Sequence, residues 1–143
     1  MVYPFRKKLF NAKPSGLWVS VEYDGCNDSW KQWCEREEFN LNKLQHAHQI
    51  ILNENANILY VTTEDELFNF TKKYPMDEQT LFFEKDSFQI NWKKVSESFS
   101  GIIITPYLYG CRCHTECFWY YGWDCSSGCF WDLECISEFR KLY

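Results

Sequence analysis

The chain has 143 residues, 45% of them hydrophobic and 20% aromatic, which is the length of one ordinary domain and too apolar for general disorder. Fifteen basic residues against twenty acidic ones leave a net charge of −5, and nucleic-acid binding is disfavoured because phosphate neutralisation needs a basic face. No stretch approaches the ~18 consecutive apolar residues of a membrane span, and the early charges are not followed by the apolar run of a secretory signal.

The expectation is therefore one domain over 1–143, cytoplasmic in the producing or infected cell, with no membrane partner. The basic group Arg6, Lys7, Lys8 and Lys13 reads first as solvated side chains. Lys13-Pro14-Ser15-Gly16 is a turn, and Leu17–Tyr23 alternates as a strand. Leu17, Val19 and Val21 would line one face of it; Trp18, Ser20 and Glu22 would line the other. After the Asp24–Asp28 loop, Ser29–Phe39 has helical spacing, capped near Asp28. Its stripe of Trp30, Trp33, Cys34 and Glu37 reads as core.

His46–Leu52 and Ile58–Thr62 read as strands joined by an Asn53–Asn57 turn. Thr63 and Glu66 then form a capping box, Leu67, Phe70, Thr71 and Tyr74 share a helical face, and Pro75 stops the helix. Residues 76–89 are polar and carry no clear pattern. Asn91–Phe99 is a second short helix with Trp92, Val95 and Phe99 inward, and Gly101–Tyr107 is a buried β-branched strand ending at Pro106. Leu133–Leu142 closes the chain as a helix or a strand. This order predicts an α+β fold, with a mixed or antiparallel sheet and two or three packed helices.

Eight cysteines in a chain without an export signal point to thiols or metal ligands ahead of disulfides. Cys111, Cys113, Cys117, Cys125 and Cys129, with His114 among them, supply enough sulfur and nitrogen for a tetrahedral zinc site. Their spacings are not those of the usual knuckles, so packed thiols or a disulfide stay open, and a catalytic thiol lacks a clear histidine partner. His46 and His48 would share one strand face, as a weak metal pair or as edge residues.

Phe118-Trp119-Tyr120-Tyr121-Gly122-Trp123-Asp124 cannot alternate cleanly between core and solvent. Either both faces are buried or one lines a pocket, where aromatic faces stack on planar ligands. Asp124 would sit beside those rings as a functional carboxylate, or as a turn or cap acid ahead of Ser126-Ser127-Gly128. Gly16-Leu17-Trp18-Val19-Ser20 offers a ring and a hydroxyl on one strand face, which is a ligand platform or an ordinary half-buried strand.

Lys13–Ser20, Trp30–Cys34, Gly101–Tyr107 and Trp119–Trp131 together resemble a family of small, largely uncharacterised bacterial and phage proteins. The shared pattern is Lys-Pro-x-Gly-Leu-Trp-x-Ser at the start and Trp-Tyr-Tyr-Gly-Trp-Asp-Cys-x-Ser-Gly-Cys-x-Trp near the end. More distantly, the chain resembles the ADP-ribosyltransferase fold, which implies NAD as cofactor and a protein or small-molecule target. By that resemblance Asp124 and Ser20 would be catalytic. Arg6, Lys13, Gly16, Trp18, Ser20, Trp119 and Tyr121 would hold NAD or another planar ligand. The fold's late Glu-x-Glu or Gln-x-Glu strand is not evident here, and Glu116 or Glu134 competes with Asp124. Two other readings stand beside the enzyme: a non-enzymatic interaction module with an aromatic surface, such as a phage-encoded inhibitor of a host system, and a small structural zinc protein.

Overall fold

In a computed structural model that describes residues 12–76 and 89–143, six strands and three α-helices form an α+β arrangement. The strands are β1 (Leu17–Ser20), β2 (His48–Leu52), β3 (Ile58–Val61), β4 (Gly101–Ile104), β5 (Ser127–Phe130) and β6 (Ile136–Lys141). The helices are α1 (Trp30–Glu37), α2 (Glu64–Lys73) and α3 (Trp92–Ser96), with several 3-10 turns between elements. Arg6, Lys7 and Lys8 lie outside the described residues, as does most of the polar stretch after Met76.

The main sheet has the order β1-β5-β4-β3. It is mixed, as expected: β5 runs antiparallel to both β1 and β4, whereas β3 and β4 are parallel, joined by a connection that contains α2 and α3. A parallel pair needs such a crossover, and the α2 face predicted from Leu67, Phe70, Thr71 and Tyr74 is buried against the sheet. Thr63 caps α2 by accepting from the Glu66 N–H at 3.1 Å. The reciprocal half of the expected box is displaced by one residue, because the Glu66 carboxylate accepts from the Thr62 N–H at 3.0 Å.

Register separates the two faces of the sheet. Trp18 pairs with Cys129, which pairs with Ile102; Ser20 pairs with Ser127, which pairs with Ile104. This face meets α2, α3 and the aromatic run, in a core containing Trp92, Trp119, Trp123 and Trp131. The opposite face packs Val19, Ile58, Ile103 and Phe130 against Ile50, Leu52 and Ile136 of a two-stranded β2–β6 sheet. The alternation of Leu17–Tyr23 thus predicts its two faces, although the strand itself ends at Ser20.

Pairing and burial add three local findings, the last of them a correction. The strands around the Asn53–Asn57 turn do not pair with each other: β2 joins β6 and β3 joins β4, so the turn passes the chain between two sheets. Ser126-Ser127-Gly128, where no strand was expected, leads into β5, a central strand that lacks β-branched residues. A Cβ on Gly128 would lie 2.7 Å from the Ile102 carbonyl oxygen and from the Ile103 side chain, so crowding from β4 selects glycine there. The α1 stripe is not core, since only Cys34 of that helix is buried. Leu133–Leu142, left open between helix and strand, contains β6 after a short 3-10 turn.

Candidate functional site

The site begins where edge strand β1 meets the start of α1. Ser29 caps α1 in a box with Gln32, and the next backbone N–H, that of Trp30, donates to Ser20 Oγ at 2.9 Å. One of the helix's unpaired N–H groups is thereby satisfied from the neighbouring strand. The bond also fixes the Trp30 backbone beside the end of β1. The cap thus lies next to Asp28, as expected, and Asp28 itself turns inward and accepts from the Tyr107 N–H at 2.9 Å. Its carbonyl accepts from the Ser126 N–H, so Asp28 ties the end of the Asp24–Asp28 loop to the segment after β4 and to the start of β5.

Between these elements lies a cleft of about 290 Å³, lined by Lys13, Trp18, Ser20, Trp30, Trp123 and Asp124 together with backbone and small residues around them. Trp18 and Trp123 meet edge to face with ring centroids 4.8 Å apart, the quadrupole-favoured arrangement. Lys13 Nζ stands 5.5 Å from the Trp18 ring centroid. Trp18 is 39% exposed and Trp123 only 1%, so the cleft has one wall open to solvent and one set in the core. Asp124 is half-buried and makes no hydrogen bond or ion pair with the described residues. The Cys125 thiol below it is pushed up to about 12 by burial, so it stays protonated and is a poor nucleophile.

Four of the residues expected at a ligand site, Lys13, Trp18, Ser20 and Asp124, therefore converge on one cleft. Arg6 lies outside the described residues. Gly16 faces β5 instead: a Cβ there would lie 2.4 Å from the Phe130 carbonyl oxygen, so its role is close strand packing. Trp119 is not a ligand platform, because it is buried in the core and its Nε1–H donates to Thr71 Oγ1 at 2.8 Å. Tyr121 points outward, stacked on Phe118 at 5.4 Å with Arg112 over its ring, away from the cleft lining. Trp30 and Trp123, with Val19, Gly122, Cys125 and Ser127, line the cleft without having been expected there. Trp30 follows the Ser29 cap, which the sequence pattern placed only as near Asp28; the position of Trp123 depends on the irregular 3-10 path of residues 115–122.

The aromatic run is thus mainly core. Trp119, Tyr120 and Trp123 are buried, and Tyr120 and Tyr107 tie the C-terminal end of the irregular segment to residues 107–108. The Tyr120 hydroxyl accepts from the Leu108 N–H at 3.1 Å, and Tyr107 donates to the Trp123 carbonyl. A less buried aromatic group lies on α1 instead, where Trp30 and Trp33 stack 5.0 Å apart and Phe39 meets both rings by its edge.

Among the cysteines, Cys113 is exposed, Cys26 is half-buried, and the other six are buried. The Cys117 thiol lies 3.5 Å from the Cys111 carbonyl oxygen, and burial pushes it up to about 12. Among the described residues no group of three or more His, Cys, Asp or Glu side chains is gathered as a metal would require. Cys125 and Cys129 belong to the β5 segment, while Cys111 and Cys117 lie by α2. His46 and His48 are exposed, His48 at the first residue of β2 and His46 before it.

No family model matches the chain, and neither the curated proteins nor the solved structures contain a match. Among the described residues no helix is long and apolar enough to cross a membrane.

Proposed function

We propose that the chain is an NAD-binding, ADP-ribosyltransferase-like protein acting on a protein or small-molecule target, with the nicotinamide end of NAD in the Trp18–Trp30–Trp123 cleft. The supporting observation is the convergence of Lys13, Trp18, Ser20 and Asp124, drawn from opposite ends of the chain, on one aromatic-walled recess. Indole rings supply flat, weakly hydrated surfaces for a planar heterocycle. Ser20 accepts from Trp30 and keeps its own hydroxyl proton to donate to a ligand carbonyl. Asp124 would hold a negative charge beside the ribose carbon, which turns cationic as nicotinamide departs with the bonding electron pair. A carboxylate held near developing positive charge, among rings that exclude water, stabilises that charge more than bulk solvent does.

The test is NAD titration followed by tryptophan fluorescence, with nicotinamide release followed by chromatography. Saturable quenching is expected, with Asp124→Asn lowering release about 100-fold or more while weakening binding by about fivefold or less. A wild-type chain that shows no saturable NAD binding overturns the reading. The half-exposed Trp30–Trp33–Phe39 group favours a second reading, an interaction module without turnover that uses α1 as its contact surface. Failure of NAD to bind would leave that second reading in place.

A further inference from the structure

Two opposite charges share the cleft without neutralising each other. Lys13 and Asp124 both line it, yet the ion pair found among the described residues is Arg140 with Glu138, on β6. The Lys13 ammonium is placed over the Trp18 ring instead. Its stem runs across Gly122, where an added Cβ would come within 3.0 Å of Lys13 Cε, so a side chain at 122 would crowd the lysine. Among the described residues, the cation and the acid are each left available to something else.

We propose that the ligand of this cleft is zwitterionic: a flat ring carrying a positive nitrogen, held by the tryptophans and Asp124, joined to an anionic phosphate or carboxylate taken by Lys13. This rests on the cleft being the ligand site, as proposed above. A purely cationic ligand gains Asp124 but is repelled by Lys13, and a purely anionic one meets the reverse. A zwitterion gains both contacts. Size narrows the class. About 290 Å³ lies at the lower limit of small-molecule cavities, enough for a ring, a sugar and one phosphate but not for a whole dinucleotide. The unit recognised is then a pyridinium mononucleotide, free or as one end of a larger molecule whose remainder stays outside the cleft.

The test titrates the chain with nicotinamide mononucleotide, with nicotinamide riboside, which keeps the cation and lacks the phosphate, and with AMP, which keeps a phosphate and carries a neutral ring. Tryptophan fluorescence at low ionic strength reads each affinity, and circular dichroism checks that variants fold. The mononucleotide is expected to bind about two- to fivefold more tightly than either comparison ligand, the scale of one partly exposed charge contact. Lys13→Met is expected to abolish the preference over the riboside alone, and Asp124→Asn the preference over AMP alone. Equal binding of the three ligands, or preferences that survive both substitutions, overturns the zwitterion while leaving the cleft as a ligand site. No binding of any of them overturns the cleft reading and this inference together.

Discussion

Helices α1 and α2 start alike and end in different environments. Each begins at a hydroxyl cap, Ser29 or Thr63, and each carries an apolar stripe at helical spacing. The α2 stripe is covered by the sheet and by the aromatic run, leaving Leu67, Phe70 and Thr71 at 5% exposure or less. In α1 only Cys34 is buried, and Trp30 and Trp33 cover each other by stacking. The difference lies in what each helix meets. Helix α2 belongs to the crossover between the parallel strands β3 and β4, whereas α1 is tied through Ser20 to the edge strand β1. An edge offers less surface than the middle of a sheet. The apolar area left over by α1 and β1 forms the cleft wall.

The same indole deletion in the two regions tests this contrast most severely. Trp119→Ala is expected to cost about 3–5 kcal/mol, because it empties a buried indole site and leaves Thr71 without its donor. Urea denaturation measures it, and a loss as small as that of a surface substitution would break the contrast. A second effect builds with pH. Cys117, Cys125 and Tyr107 are all pushed up to about 12 by burial, from ordinary values of 9.0 for the thiols and 10.0 for the phenol. Unfolded, these groups ionise from about pH 9 upward; folded, they remain protonated. The stability they confer is whole below pH 9 and is lost as pH rises toward 12. Denaturation midpoints should fall across that window, and the Cys117→Ser, Cys125→Ser double variant should flatten the fall; a midpoint constant from pH 9 to 12 would contradict it.

Gly128→Ala is expected to cost about 1–3 kcal/mol through contact with β4, read by the shift in thermal midpoint. Trp33→Ala sits at the other extreme. Its loss should be about 1 kcal/mol or less, since the ring is partly exposed and its removal opens no enclosed cavity. Thiol labelling sharpens the contrast without changing the fold: iodoacetamide should reach Cys113 first and Cys26 next, and should reach Cys34, Cys111 and Cys117 only on denaturation. Rapid labelling of Cys34 in the native chain would mean that α1 is even less anchored than its single buried side chain implies.

Local chemistry determined much of this protein by itself. The hydroxyl cap and stripe of α2, its stop at Pro75, the apolar run of β4 and the two faces of β1 each follow from a spacing or a backbone constraint that acts within a few residues. Pairing and coverage were decided only by the tertiary structure. Ser127–Phe130 becomes a central strand because β1 and β4 supply hydrogen-bond partners on both sides, with β4 crowding out any side chain at Gly128. The same limit separated Trp119 from the cleft. A run of aromatics states that burial is favourable, but a core position and a pocket wall have the same local pattern, and only the 3-10 path through Thr115–Gly122 sends Trp119 to Thr71 and Trp123 to Trp18. Lys13, Trp18, Ser20 and Asp124 were legible as residue types suited to a ligand. Their meeting in one recess depends on β5 returning beside β1, a long-range pairing that no short window of sequence contains.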